Sequence, residues 1–167
     1  KSGGDREHLI NELEKIENFI VNGSKLTPEN LAKLINLNEN FSINELIDNC
    51  LAKNKKKITK ILNENNFYDE DSITITRVFL NKSKKILILT KNYQKNKNID
   101  LTISSAKPPI FWKDKEIIKQ QIYMWSPKNI RKLIYELSEI ELISKKNFGN
   151  SIKIITDFIF EQSASET

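Results

Sequence analysis

Apolar residues recur at three- and four-residue steps along most of this chain, which is the spacing of one face of an α-helix. Leu9, Leu13, Ile16 and Ile20 form the first such stripe, on a helix of about 17 residues that ends near Gly23. Thr27-Pro28-Glu29 reads as a helix start: Thr caps, Pro suits the first helical position, and Glu favours the positive end of the dipole. The short helix after it carries Leu31, Leu34 and Ile35. Ser42-Ile43-Asn44-Glu45 fits a capping box and predicts a new helix presenting Ile43, Leu46, Ile47 and Cys50. The stretch from Lys53 to Asn65 predicts another, with Ile58, Ile61 and Leu62 inward and lysines outward.

Residues 71–98 pose a conflict. Ile73-Thr74-Ile75-Thr76 alternates like a strand. Val78, Phe79, Ile86, Leu89 and Tyr93 carry the apolar pattern far past strand length with no turn residue between them. One long helix is the better expectation, with tertiary packing overriding β-branched propensity. Ser104 to Pro109 breaks the pattern, because Lys107-Pro108-Pro109 cannot lie inside a helix. Helix resumes from Asp114 to Trp125, and Ser126-Pro127 repeats the cap signal. Ile130, Leu133, Ile134, Leu137, Ile140 and Leu142/Ile143 form the most regular amphipathic run, and Gly149 separates it from a last helix with Ile152, Ile155, Ile159 and Phe160. The expected fold is all-α, a bundle of roughly eight helices without a repeat.

Composition changes this picture little. Glycine and proline occur four times each in 167 residues, which suits long helices. Lys, Ile and Asn number 24, 26 and 20, and these residues share A/T-rich codons, so the net charge of +5 is weak evidence for a nucleic-acid partner. The distribution of charge says more: residues 1–71 sum to −3, residues 72–99 to +7 with no acid, and residues 100–167 to +1. The basic middle segment is a candidate phosphate-facing surface, against the plainer expectation of a solvated helix face.

Candidate chemistry is sparse. A single cysteine, Cys50, excludes an intrachain disulfide, and one histidine, His8, excludes a His-rich metal site. Cys50 on an apolar stripe reads as a buried structural thiol, and His8 as a surface or capping residue. Asp69-Glu70-Asp71 belongs to a helix N-terminus, where the dipole explains it. No phosphate loop, GxSxG or HExxH occurs, so neither catalysis nor a cofactor is expected. No apolar run approaches the roughly 20 residues of a membrane span, the first residues lack the pattern of a signal peptide, and a reducing cytoplasm is the expected compartment.

Several stretches resemble one family. Gly4-Asp5-Arg6 with Glu12-Leu13-Glu14-Lys15-Ile16, then Phe41-Ser42-Ile43-Asn44-Glu45-Leu46-Ile47-Asp48, then Pro108-Pro109-Ile110-Phe111-Trp112-Lys113 and Trp125-Ser126-Pro127 appear in the order and spacing of the C-terminal part of the bacterial DNA polymerase III delta subunit. The last two are similar to alphaproteobacterial members. The resemblance implies residues 1–40 as the end of an AAA+-like helical lid domain and 41–167 as a helical collar, or oligomerisation, domain. Arg6 would match a position related to the nucleotide-sensing arginine of AAA+ proteins, in a subunit that does not hydrolyse ATP. The implied role is assembly with the other clamp-loader subunits through the collar, with primer–template DNA nearby. Contact with the sliding clamp would belong to an N-terminal domain absent from this sequence, and no membrane is involved.

Two places invite a DNA contact. Trp112, or Phe111, lies beside Lys113 in an irregular segment, and Phe148 lies beside Lys145 and Lys146 just before Gly149. An aromatic next to lysine can stack on a base while the lysine holds phosphate. Phe148-Gly149-Asn150-Ser151 resembles a Tyr-Gly-Gln-Ser of some delta subunits. Core packing is the competing and first expectation for both rings, and Trp125 reads as a staple at the start of the following helix. The alternative to a clamp-loader role is a free-standing basic helical DNA-binding protein that uses residues 72–99.

Overall fold

The computed structural model describes residues 37–164 and, before them, 13, 14, 16–18, 20, 21, 23 and 27, without the side chains of 37–41 and 148. Every regular element among the described residues is helical. The chain divides into two compact units, Lys1–Ser42 and Ile43–Thr167.

In the first unit the described residues from 13 to 21 are helical. Gly23 then takes φ +79° and donates its N–H to the Ile20 carbonyl at 2.9 Å, which ends the helix where the sequence predicts. Leu13 and Ile20 of the predicted stripe are half-exposed. Leu9, His8, Arg6 and the predicted helix carrying Leu31, Leu34 and Ile35 lie outside the described residues.

Beyond these, the described residues form seven α-helices: α1 (Leu37–Leu51), α2 (Lys55–Glu64), α3 (Asp71–Asn96), α4 (Ile99–Ser104), α5 (Lys115–Met124), α6 (Pro127–Lys146) and α7 (Ser151–Ala164). Within the second unit α3 is central. It packs against α4, α5, α7 and most extensively α6, while α7 also packs on α6 and α2. The fully buried side chains include Leu46, Ile47, Ile58, Ile75, Phe79, Ile86, Ile130, Leu133, Leu137, Ile155 and Ile159. These are mostly the positions that the helical period marks. Phe79 of α3 and Phe158 of α7 meet with centroids 6.2 Å apart.

The long helix over 71–96 wins against the strand pattern because its seven-residue repeat places Ile75, Phe79, Ile86 and Leu89 on one buried face. Thr76 is accommodated by donating its hydroxyl to the Ser72 carbonyl at 2.7 Å. Lys97, at φ 54°, closes α3 in the left-handed region, and Asn98 then accepts from the Leu101 N–H at 2.9 Å to start α4, a helix the sequence pattern does not announce. Ser126 caps α6 as predicted, accepting from the Asn129 N–H at 3.1 Å with Pro127 in the first turn.

The expected cap at Ser42 is not one. Helix α1 begins at Leu37 and runs through Ser42. A residue preceded by helical turns has i−4 carbonyls for its following amides, so no orphan donors remain for a capping box to satisfy. Leu142 and Ile143, expected on the apolar face of α6, are instead exposed. They fall on the wrong side of the arc set by Leu133 and Leu137.

Three polar ties lock the elements. The buried Trp125 indole Nε1–H donates to the Leu51 carbonyl at 2.7 Å, joining the α5–α6 corner to the end of α1. Gln121 Nε2–H donates to the Asp48 carbonyl at 2.9 Å. Asp69 reaches across 83 residues, accepting from the Ile152 N–H at 2.8 Å and the Ser151 hydroxyl at 3.0 Å. So of the three acids at the start of α3, Asp71 serves its own helix, accepting from the Tyr68 N–H at 2.8 Å, while Asp69 caps α7.

Candidate nucleic-acid interface

The irregular segment after α4 is anchored from below. Ala106 and Ile110 are buried, and Pro108-Pro109 between them forbids helix. With those two residues filling the inward positions, the next two side chains are turned out. Phe111 is 52% exposed and Trp112 67% exposed, with centroids 5.8 Å apart. Trp112 opens a single 3-10 turn, Trp112–Asp114, closed by the Asp114 N–H donating to the Phe111 carbonyl at 3.0 Å and leading directly into α5. Lys113 Nζ stands 5.3 Å from the centre of the Trp112 ring. Trp112 is therefore not the core residue first expected. It is an exposed ring with a lysine over its face, and Lys107 before the turn and Lys115 after it are also exposed.

The second predicted place is at the far end of α6. Lys145 and Lys146 lie in the last turn of that helix. Lys145 Nζ donates to Glu141 Oε1 at 2.8 Å. That hydrogen bond holds the Glu141 carboxyl below the usual carboxylate range, and the charges of Arg77 and Lys84 on α3 add to it. Lys146 is exposed. Phe148 begins the 3-10 turn Phe148–Asn150, and its ring lies outside the described side chains. The two places are not brought together: the 112–114 turn packs on α5, and the 148–150 turn on α6 and α7.

The basic segment 72–99 resolves into two groups that net charge alone does not separate. Lys82 and Lys85 are turned to one flank of α3. Lys82 pairs with Asp48 at 2.6 Å and also donates to the Asn44 carbonyl at 3.3 Å. Both lysines line a small recess of about 120 Å³ with Asp48, Asp114 and Gln121, where Lys82 is the one that pairs with a carboxylate. Arg77, Lys84, Lys91 and Lys95 are exposed, and the seventh cation, Lys97, is exposed at the C-cap beyond the helix. The seven-residue spacing of the first three is the sequence signal that separates the two groups.

The remaining reactive candidates are structural. Cys50 is fully buried, its thiol donating to the Ile159 carbonyl at 3.7 Å, and burial pushes its pKa well up. Trp125 is buried beside Lys53, whose Nζ lies 5.0 Å from the ring centre and whose pKa is lowered by burial. Among the described residues no group of His, Cys, Asp or Glu is arranged to hold a metal ion, and no helix is long and apolar enough to cross a membrane.

No known family profile, curated protein or solved structure matches this chain.

Proposed function

We propose that this chain is the lid end and collar region of a non-catalytic clamp-loader subunit of the delta type, which packs against the other loader subunits and contacts primer–template DNA in the assembled complex. The observation that carries the reading is the Phe111-Trp112-Lys113 turn. It lies inside the segment most similar to the family, and it exposes two adjacent rings with a lysine at hand, a geometry suited to stacking on bases. The second segment of likeness, Trp125-Ser126-Pro127, supplies the opposite element: a buried anchor and a helix cap that fix the same α5–α6 corner. Exposed Tyr135, Leu142 and Ile143 on α6 offer apolar area for subunit packing. On this reading the protein works in the bacterial cytoplasm with no cofactor of its own, and contact with the sliding clamp belongs to the N-terminal domain of the family.

The test is reconstitution. The chain is mixed with the other loader subunits of its source organism and run on gel filtration, and co-elution is expected. Trp112→Ala, carried in the reconstituted loader, is expected to weaken primer–template affinity roughly 5- to 150-fold, from about 1–3 kcal/mol of stacking per base. Separate elution, or a Trp112→Ala loader with unchanged DNA affinity, overturns the proposal.

A further inference from the structure

Helix α3 presents a straight row of positive charge to solvent. At 3.6 residues per turn, Arg77, Asn81, Lys84, Ile88, Lys91 and Lys95 fall within an arc of about 80°. All six are exposed, and they lie opposite the face that buries Ile75, Phe79, Ile86 and Leu89. The row is about 27 Å long, with the first three cations about 10.5 Å apart at 1.5 Å rise per residue. The helix carries one acid, Asp71, in its first turn and outside this row. Among the described residues none of the four cations makes an ion pair. The carboxylate that approaches the row from the packed neighbour α6 is Glu141, and Lys145 already binds it at 2.8 Å. Glu141, shared with Lys145, offsets part of the charge near Arg77 and Lys84 and leaves the rest of the row, towards Lys91 and Lys95, without a carboxylate partner among the described residues.

We infer that the outer face of α3, from Arg77 to Lys95, is a sequence-independent binding surface for a nucleic-acid backbone. Charge complementarity carries the choice of partner. A phosphodiester chain needs only regularly spaced cations with free side chains, and supplies a continuous line of anions to match them. A membrane surface would need a broad apolar strip beside the cations, and this row has a single exposed apolar side chain, Ile88. An acidic polypeptide would need pockets to fix its register, and the only other side chains in the row are Asn81 and Ile88. This inference does not depend on the clamp-loader reading, because it concerns the isolated chain.

The experiment uses the full chain and a fluorescent duplex oligonucleotide, followed by anisotropy across a salt series. Neutralising about four phosphates gives an expected slope of log affinity on log salt near −4, a loss of about 10²-fold between 50 and 200 mM salt. The variant Arg77→Gln/Lys84→Gln/Lys91→Gln/Lys95→Gln is expected to lose most of that slope and at least tenfold in affinity at 50 mM salt. The matching control, Lys55→Gln/Lys56→Gln/Lys57→Gln/Lys60→Gln on α2, removes the same charge from another exposed face and is expected to lose less than threefold. Equal losses in the two variants overturn the inference, because net charge alone would then explain binding. Competition by poly-glutamate or by anionic phospholipid vesicles as strong as by unlabelled duplex also overturns it. Helical circular dichroism of both variants verifies that the exposed substitutions leave the fold intact. Co-elution with loader subunits reports on the other proposal and is expected to be unchanged by the α3 substitutions.

Discussion

Replacing Trp125 by phenylalanine isolates the tie between the α5–α6 corner and the end of α1. The indole is 6% exposed and its N–H donates at 2.7 Å to the Leu51 carbonyl, one of the last-turn carbonyls of α1 that has no partner within the helix. Phenylalanine keeps most of the ring but removes the donor. The stranded carbonyl and lost hydrogen bond cost about 1–3 kcal/mol. The missing five-membered ring leaves a small gap, worth about 0.5–1 kcal/mol at roughly 24 cal/mol per Å³ of unfilled cavity. The Lys53 cation keeps an aromatic face to lie over, so that contact changes little. The sum is about 1.5–4 kcal/mol, a large share of the stability of a domain this size. Urea unfolding followed by circular dichroism at 222 nm reads the difference from the midpoint shift at constant slope. A loss below about 0.5 kcal/mol would refute the assignment of Trp125 as the anchor of this corner.

The same geometry sets further outcomes. Asp69→Ala removes the remote cap of α7 and is expected to cost about 1–2 kcal/mol in urea unfolding, with Asp69→Asn recovering part of it because an acceptor oxygen remains; equal losses for both variants would leave the cap without support. Cys50, buried with its thiol pKa pushed up, is expected to resist alkylation in the native chain at pH 8 and to react once urea unfolds it; prompt native-state labelling would contradict the burial. Acrylamide is expected to quench Trp112 and spare Trp125, so Trp112→Phe should leave a blue-shifted, poorly quenched emission, and a red-shifted one would reverse the two roles. For Glu141 the folded pKa is depressed, so its pairing with Lys145 contributes in full above the ordinary value of 4.5 and is lost as pH falls through the lower folded value. Lys145→Gln should return the Glu141 carboxyl titration, read by NMR, toward 4.5 at a stability cost of only a few tenths of a kcal/mol for so exposed a pair.

Most of the helical fold is legible in the sequence because the signal for it is long. Over α3 the strand-like Ile73-Thr74-Ile75-Thr76 covers four residues, whereas the helical period holds from Ile75 to Leu89, and the longer signal prevails. Short signals fare worse. The capping box at Ser42 is a four-residue pattern, and its outcome turns on whether the residues before it are already helical, which no local pattern states. Helix α4 has six residues and exists because Lys97 reverses the backbone and Asn98 caps the turn beyond it. Asp69 reads in sequence as serving its nearest helix, and its true partners lie more than eighty residues along the chain. At the candidate site the exposure of Trp112 escapes the sequence for a similar reason. Large aromatics are usually core, but Ala106 and Ile110 take the inward positions of that segment, and only the tertiary structure shows which of several apolar neighbours gets them.

The charge of segment 72–99 shows why secondary structure has to be fixed before net charge means anything. In a strand, Lys84 and Lys85 would point to opposite faces and the seven cations would spread over both. In a helix the seven-residue repeat that buries Phe79 and Ile86 also sets Arg77, Lys84 and Lys91 on one outer line, while Lys82 and Lys85 fall to the flank beside Asp48 and Asp114. The same helical register therefore builds the core on one side, sets Lys82 against Asp48 with Lys85 beside the same recess, and leaves Arg77, Lys84, Lys91 and Lys95 in one row facing solvent. Of the seven formal charges, Lys82 and Lys85 lie on the flank and Lys97 lies at the C-cap, so four stand in the solvent-facing row, and that row, rather than the total, is what a phosphate backbone would meet.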